Sequence, residues 1–292
     1  MEFRQLECFM AVCKELHFTR AAENLNMSQP SLSQQIKNLE SKVGVPLFDR
    51  IGKKTALTEA GKVLLVHSQR IFHEIEQAEA ALSDLNGLRR GRLSIGSLLT
   101  CISYLLPAAI FKFKDLYPQI ELSVLGLRTG DIRTGLLENN LDLGIAFLPV
   151  DDEELETIPL FTEELSLAVP LGHPFSKLKE VDMKLLKDIP IVLLPKNYFL
   201  RKLIDEYCSE IGITLKPTIE ITMESLIQMV SEGIGATILP IRYLTYLKNE
   251  QIATVQLINP TPQREIGIIY RKDKYMCTAT KAFIDQLTET TS

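Results

Sequence analysis

The sequence predicts a mixed fold in three parts: an all-α N-terminal segment, a single long helix, and an α/β region that takes up the rest of the 292 residues. Three observations carry that reading. Residues 18–37 hold two short helical patterns separated by a polar break. Leu64, Ile71, Ile75, Ala78, Leu82 and Leu85 follow one another at steps of 7, 4, 3, 4 and 3, a heptad seam. From Arg92 onward, short apolar runs alternate with helical patterns, which is the signature of an α/β architecture.

Phe3, Leu6, Phe9, Met10, Cys13 and Leu16 have helical spacing, so a first helix packs behind the pair that follows. Thr19 is placed to N-cap the next helix, whose small face is Ala21, Ala22 and Leu25. Asn26-Met27-Ser28 interrupts it. Ser28 then caps a third helix, and Pro30 falls in its first turn, where a missing N–H costs nothing. Leu32, Ile36, Leu39 and Val43 repeat at i, i+4, i+7 and i+11 and make one buried stripe. The opposite face carries Pro30, Ser33, Gln34, Lys37 and Ser41. Small residues let a backbone approach a major groove, amides read base edges, and a lysine takes a phosphate. The Ala21-Ala22 pair lets two helices cross closely, as in a helix-turn-helix. Taken alone, the same stretch fits a surface helix pair equally well. Downstream, two short apolar-polar runs around Gly52 read as a hairpin with Arg50, Lys53 and Lys54 at its tip, a wing whose cations lie along phosphates.

With the wing in place a resemblance becomes specific. Residues 9–50, FxxxxxxxHFTRAAExLxMSQPSLSQQIKxLExxxGxxLFDR, followed by LTEAG at 57–61, resemble the LysR-type transcriptional regulators. The match covers the whole N-terminal segment, and the order of elements in the rest of the chain also fits. The resemblance implies a winged helix-turn-helix over 1–58, a linker and dimerisation helix over 59–86, a hinge over 87–91 and an effector-binding domain over 92–292. It assigns DNA contact to Thr19, Arg20, Ser28, Gln29, Pro30, Ser31, Ser33, Gln34 and Lys37, with Arg50, Lys53 and Lys54 on the wing. It also implies that the α/β region resembles a periplasmic solute-binding protein. Lobe I then spans about 92–161 and 265–292 and lobe II about 162–264, with crossings near Phe161 and Arg264. The expected partners are double-stranded promoter DNA, a small-molecule effector and further copies of the chain, with RNA polymerase a candidate. The family resemblance implies a tetramer, whereas the seam by itself supports a dimer.

Thr58 caps the long helix, which runs to about Asn86, with Ser68 interrupting the seam between Leu64 and Ile71. Two glycines and two arginines in residues 86–91 mark the hinge. Strands are expected at 93–96, 120–125, 141–147, 165–169, 189–194, 216–221, 236–239 and 266–270. Helices are expected at 104–117, 132–138, 199–211, 225–232 and 277–288. The region is long enough for two α/β lobes at the usual ~100–150 residues per domain.

Ligands of open α/β folds collect at the carboxyl ends of strands, where helix N-termini offer unpaired N–H groups. Ser97 and Thr100 follow the first strand, Thr129 the second, and Phe147 and Pro149 the third. Phe199 and Arg201 open a helix of the other lobe. The family's effector pocket lies at such loops, and Arg201 is placed to pair with an anion, so a small carboxylate or similar anion is the expected ligand. Ordinary helix caps and a solvated arginine are the alternative reading of the same residues.

Composition narrows the function classes. The charge of −5 is uneven: residues 1–62 carry nine Lys/Arg against seven Asp/Glu, so the remainder carries −7. No apolar run reaches the ~18 residues that span a bilayer, and the opening MEFRQLECF is no signal peptide, so a cytoplasmic protein is expected. The five cysteines show no C-x-x-C, and the four histidines are scattered. A metal site, a resident cofactor and a catalytic set are therefore not expected. A solute-binding protein would leave residues 1–62 without a purpose, and an enzyme would need a constellation that the chain does not offer.

Overall fold

The computed structural model describes residues 1–51, 54–85 and 91–291. The chain divides into two units, Met1–Leu82 with Glu138–Asn140, and Ser83–Leu137 with Leu141–Ser292. In the first, helices α1 (Phe3–Glu15), α2 (Phe18–Asn24) and α3 (Gln29–Val43) precede a hairpin of β1 (Phe48–Ile51) and β2 (Lys54–Leu57), followed by α4 (Glu59–Leu85). His17, not Thr19, caps α2. Its Nδ1 accepts from the Arg20 N–H at 3.4 Å, and Thr19 already sits in the first turn. A hydroxyl is the commoner cap, and that preference drew the expected helix start too far along the chain. Ser28 does cap α3, its Oγ accepting from the Ser31 N–H at 3.3 Å, with Pro30 in the first turn.

Leu32, Ile36 and Leu39 are buried against Phe9, Val12, Ala21 and Ala22. Removing each large side chain from water contributes about 1.5–3 kcal/mol, which is what clamps three short helices together. Val43 departs from the predicted stripe and is 38 % exposed, because it is the last helical residue before Gly44, whose φ of 78° ends α3. Glu40 ties this end of α3 to the hairpin, its Oε1 accepting from the Leu47 N–H at 2.8 Å and the Phe48 N–H at 3.3 Å. Thr58 caps α4 by accepting from the Gly61 N–H at 3.0 Å, while its hydroxyl donates to the Pro46 carbonyl at 2.8 Å. A Cβ on Gly61 would lie 2.2 Å from the Leu47 carbonyl oxygen. The glycine of LTEAG is thus required by the close approach of α4 to the chain ahead of β1.

The second unit begins with β3 (Gly91–Ser97), α5 (Leu99–Tyr104), α6 (Leu106–Leu116), β4 (Ile120–Gly126), α7 (Thr129–Leu137), β5 (Leu143–Leu148) and β6 (Leu155–Pro170). Two 3-10 turns flank β7 (Glu180–Asp182). The chain continues through β8 (Val192–Leu193), α8 (Phe199–Glu210), β9 (Ile219–Glu220), α9 (Met223–Ser231), β10 (Thr237–Pro240) and α10 (Ile241–Leu247). It ends with β11 (Ile252–Ile258), β12 (Gln263–Arg271) and α11 (Thr278–Thr291). The strand order is β4-β3-β5-β12-β6-β11-β7, with β10 also on β6 and β8 paired to β9. β3 pairs in parallel with β4 and β5, whereas β12 runs antiparallel to β5 and β6.

β6 joins two lobes. Residues 155–164 pair with β12, and from Leu165 onward the strand pairs with β10 and β11. The outward crossing therefore falls at Glu164–Leu165 and the return at Pro262–Gln263, beside the expected Phe161 and Arg264. The sequence pattern showed only the second half of β6. In the first half Pro159 and charged residues break the apolar run, and the register with β12 shifts between Ile266 and Gly267, opposite Pro159. β8 and β9 are shorter than expected because Pro190, Pro195 and Pro217 bracket them without ladder donors. The expected helix at 104–117 is α6, which starts at Leu106 with Pro107 in its first turn, and α5 ahead of it is not among the expected helices.

Candidate functional site

The outward side of α3 exposes Gln29, Pro30, Ser31, Gln34 and Lys37, with Ser28 at its cap and Ser33 half-buried. Side-chain hydrogen bonds run along this face. Gln29 Nε2 donates to Ser33 Oγ at 2.8 Å, and Gln34 Nε2 donates to Asn38 Oδ1 at 2.8 Å. Amides held in this way are oriented in advance, with their remaining donors and acceptors directed outward. Thr19 and Arg20 are exposed on α2, but Arg20 leans back on Glu15, its Nη2 donating to the Glu15 carbonyl at 3.2 Å. On the hairpin, Lys53 and the side chains of Arg50 and Lys54 lie outside the described residues.

On α4, Leu64 packs with the helical core. Ile71, Ile75 and Leu82 remain 37 %, 38 % and 60 % exposed, and Ala78 is exposed. The side chain of Leu85 lies outside the described residues, and Ser68 is buried. An apolar row left open on a long helix is what a missing partner helix would cover.

The second site is built at the carboxyl ends of β3, β4 and β5. The Leu98 N–H donates to the Ile145 carbonyl at 3.1 Å and the Leu127 N–H to the Ser97 carbonyl at 2.9 Å, so the loops leave adjacent strand ends together. They line one wall of an open cleft with Leu98, Leu99, Thr100, Leu127, Arg128, Thr129 and Phe147, joined by Arg264 from β12. Leu194, Tyr198, Phe199, Leu200 and Met223 form the opposite wall. Phe147 and Phe199 stack across the cleft with centroids 4.3 Å apart. The Arg264 guanidinium lies 4.9 Å from the centroid of the Phe147 ring.

Arg264 is nearly sealed and pairs with the equally buried Glu163. Its Nε donates to Glu163 Oε1 at 2.5 Å and its Nη2 to Thr100 Oγ1 at 3.1 Å. Tyr104 adds its hydroxyl to Glu163 Oε1 at 2.9 Å. Burial pushes the Tyr104 hydroxyl and the neighbouring Cys101 thiol up from their ordinary values, so both keep their protons at neutral pH. Thr129 Oγ1 is buried with no hydrogen-bond partner among the described residues. Thr100 accepts a bond from Arg264, and its hydroxyl also lies within hydrogen-bond reach of the Cys101 thiol.

Residues 3–62 match the bacterial regulatory helix-turn-helix proteins of the lysR family, and residues 86–292 match the LysR substrate binding domain. The chain belongs to the LysR family. A probable RuBisCO transcriptional regulator of Phaeodactylum tricornutum is 34 % identical over 97 % of this chain and 95 % of its own. Another, from Porphyra purpurea, is 33 % identical over 97 % and 92 %. Among solved structures, a full-length OxyR variant from Pseudomonas aeruginosa agrees with a TM-score of 0.76 at 27 % identity, covering 98 % of this chain and 94 % of that one. The protein is a LysR-family DNA-binding transcriptional regulator with an effector-binding domain; these relatives are regulators, not enzymes.

In this LysR-family regulator the cleft gathers Thr100, Thr129, Phe147 and Phe199 from the residues expected at the effector site. It does not gather the other three. Ser97 is fully buried, its hydroxyl donating to the Leu98 carbonyl at 3.3 Å. Pro149 is exposed beyond the end of β5 and outside the lining. Arg201 is 3 % exposed and its guanidinium is held through Nε and Nη1. Its Nε meets both Asp205 oxygens at 2.9–3.0 Å, and its Nη1 meets the Leu194 carbonyl and Glu220, each at 2.8 Å. The buried cation of the cleft lining is Arg264, with Arg128 an exposed one. Helix dipole counts for little here, since α5 has six residues and Leu98 offers no side-chain cap. Cys208 is also buried, its thiol pushed up to about 11 by desolvation. Among the described residues no His, Cys, Asp and Glu cluster is placed to hold a metal, and no helix is long and apolar enough to cross a membrane.

Proposed function

We propose that this regulator reads duplex DNA with α3, pairs with a second copy through the open row of α4, and responds to a small carboxylate bound in the cleft. The observation that carries the effector assignment is the convergence of Arg264, the Thr100 hydroxyl and the unpartnered hydroxyl of Thr129 on one lined cavity. Two hydroxyl donors and a guanidinium suit an oxyanion. Gln34, Gln29 and Ser33 read base edges, with Ser28, Pro30, Ser31 and Lys37 beside them. Thr19 and Arg20 approach the backbone, and Arg50, Lys53 and Lys54 lie along phosphates from the wing. The seam of Ile71, Ile75, Ala78, Leu82 and Leu85, continued from Leu64, forms the dimer, and two dimers make the working tetramer. It acts in the cytoplasm, where promoter-bound regulator and RNA polymerase meet. A gel-shift titration of the full chain on the DNA upstream of its own gene tests this, run with and without a panel of organic acids. A specific complex whose mobility or affinity changes with one acid is the expected result. Equal affinity for unrelated DNA at physiological salt would remove the sequence-reading role.

A further inference from the structure

The cleft holds one guanidinium near its inner end, and that charge is already matched. Glu163 and Arg264 are both almost fully buried and paired. Arg128, the other cation of the lining, is exposed and pairs with Asp131 at 3.1 Å. Tyr104 and Cys101 on α5 hold their protons, and Arg242 of α10 lies over the far side of this cluster on the Phe161 ring, 4.1 Å from its centroid. A carboxylate kept for stability alone would have both oxygens satisfied. Glu163 has Oε1 bonded twice, while Oε2 is buried without a partner. Its negative charge is the feature that the site retains.

We propose that Glu163 sets the charge of the effector: by neutralising Arg264 in advance, it restricts the cleft to amphipathic molecules bearing a single carboxylate. The proposal rests on the cleft being the effector site. The carboxylate meets the Thr100 and Thr129 hydroxyls and the Nη1 edge of Arg264, which makes no hydrogen bond among the described residues. The body lies among Leu98, Leu99, Leu127, Phe147, Leu194 and Met223. A second carboxylate, or a phosphate ester, would enter this apolar space where the remaining cation of the lining, Arg128, is already paired with Asp131, and desolvation of that charge is unfavourable. Replacing Glu163 by a neutral isostere leaves Arg264 uncompensated and should admit the second charge.

The test is thermal stabilisation of the full chain by two matched series, hexanoate, adipate and hexanamide, and benzoate, terephthalate and benzamide, each at up to about 10 mM. At least one monocarboxylate should raise the melting temperature, with its dicarboxylate and amide at least about tenfold weaker. Glu163→Gln should reverse the order and favour the dicarboxylate. If that variant does not fold, Glu163→Gln combined with Arg264→Gln removes both charges and should weaken both acids without favouring the dianion. A dicarboxylate or amide that matches the monocarboxylate on the unaltered chain overturns the proposal, as does a folded Glu163→Gln with unchanged selectivity, or no stabilisation by either monocarboxylate. Leu99→Trp fills the cleft and separates the two claims. Stabilisation that survives in Leu99→Trp removes the cleft as the effector site, whereas stabilisation by a dicarboxylate that disappears in it removes the charge rule alone.

Discussion

At Gln34 the amide is fixed before DNA arrives, by donation to Asn38 Oδ1 at 2.8 Å. Gln34→Ala should lose roughly 1–3 kcal/mol on the specific site and little on unrelated sequence, measured by paired gel-shift titrations. An equal loss on both would make Gln34 a backbone contact. Gly61→Ala sets a Cβ against the Leu47 carbonyl, a backbone atom that has no rotamer by which to retreat. It should destabilise the DNA-binding unit by about 1–3 kcal/mol in denaturant melts. Arg201→Ala should cost lobe II roughly 1–3 kcal/mol, moderated because Asp205 and Glu220 stay about 40 % exposed. A chain that lost its effector response with unaltered stability would return Arg201 to the ligand. Local chemistry made the placement of Ser28, Thr100 and Thr129 legible, since each lies at a helix or strand boundary that the sequence announces, and periodicity placed Gln34 on the exposed face of α3. Arg264 was not legible as a cleft residue. Its partner Glu163 lies 101 positions away, and a single sequence reports neighbours along the chain and not pairs across a sheet.

Periodicity carried the helices better than the strands. α3 and α4 read cleanly because one face of each is apolar over several turns. β6 did not, because its first half is half-exposed and carries Pro159, and a strand that changes partners midway has no single alternation to display. α10 and β11 have no periodic signal, since 241–258 mixes aromatic, charged and apolar residues without a sustained period. The open row on α4 is where an element predicts assembly. Ile75 is 38 % exposed in the single chain, so Ile75→Glu should leave the monomer folded. Across a paired seam the same change buries an unpaired carboxylate, a cost of several kcal/mol. Sedimentation should show the oligomer dissociating while circular dichroism stays unaltered. An unchanged oligomer would place the seam on another face.

On the scale of the whole molecule, DNA affinity and effector affinity are linked. An effector alters DNA binding only by its preference for one of the protein's states, and a compound with equal affinity for both shifts nothing. Typical coupling of about 1–3 kcal/mol gives a 5–150-fold change, and by reciprocity specific DNA must change effector affinity by the same factor. Thr129 is where this linkage can be tested without disturbing the fold, because its hydroxyl satisfies no other group in the described chain. Thr129→Val keeps the side chain's shape, so the melting temperature of the free protein should not fall. Loss of one donor to a charged acceptor is worth about 1.5–3 kcal/mol, so the effector concentration for half-maximal response should rise roughly tenfold or more. The maximal response should still be reached, since the substitution weakens occupancy of the cleft and not the states it selects between. A reporter dose–response curve beside a direct binding isotherm distinguishes the outcomes. Parallel shifts in both place Thr129 on the ligand. A lowered plateau with unchanged affinity would instead place it in the transmission between states, and no shift in either would move the ligand's polar end elsewhere in the cleft.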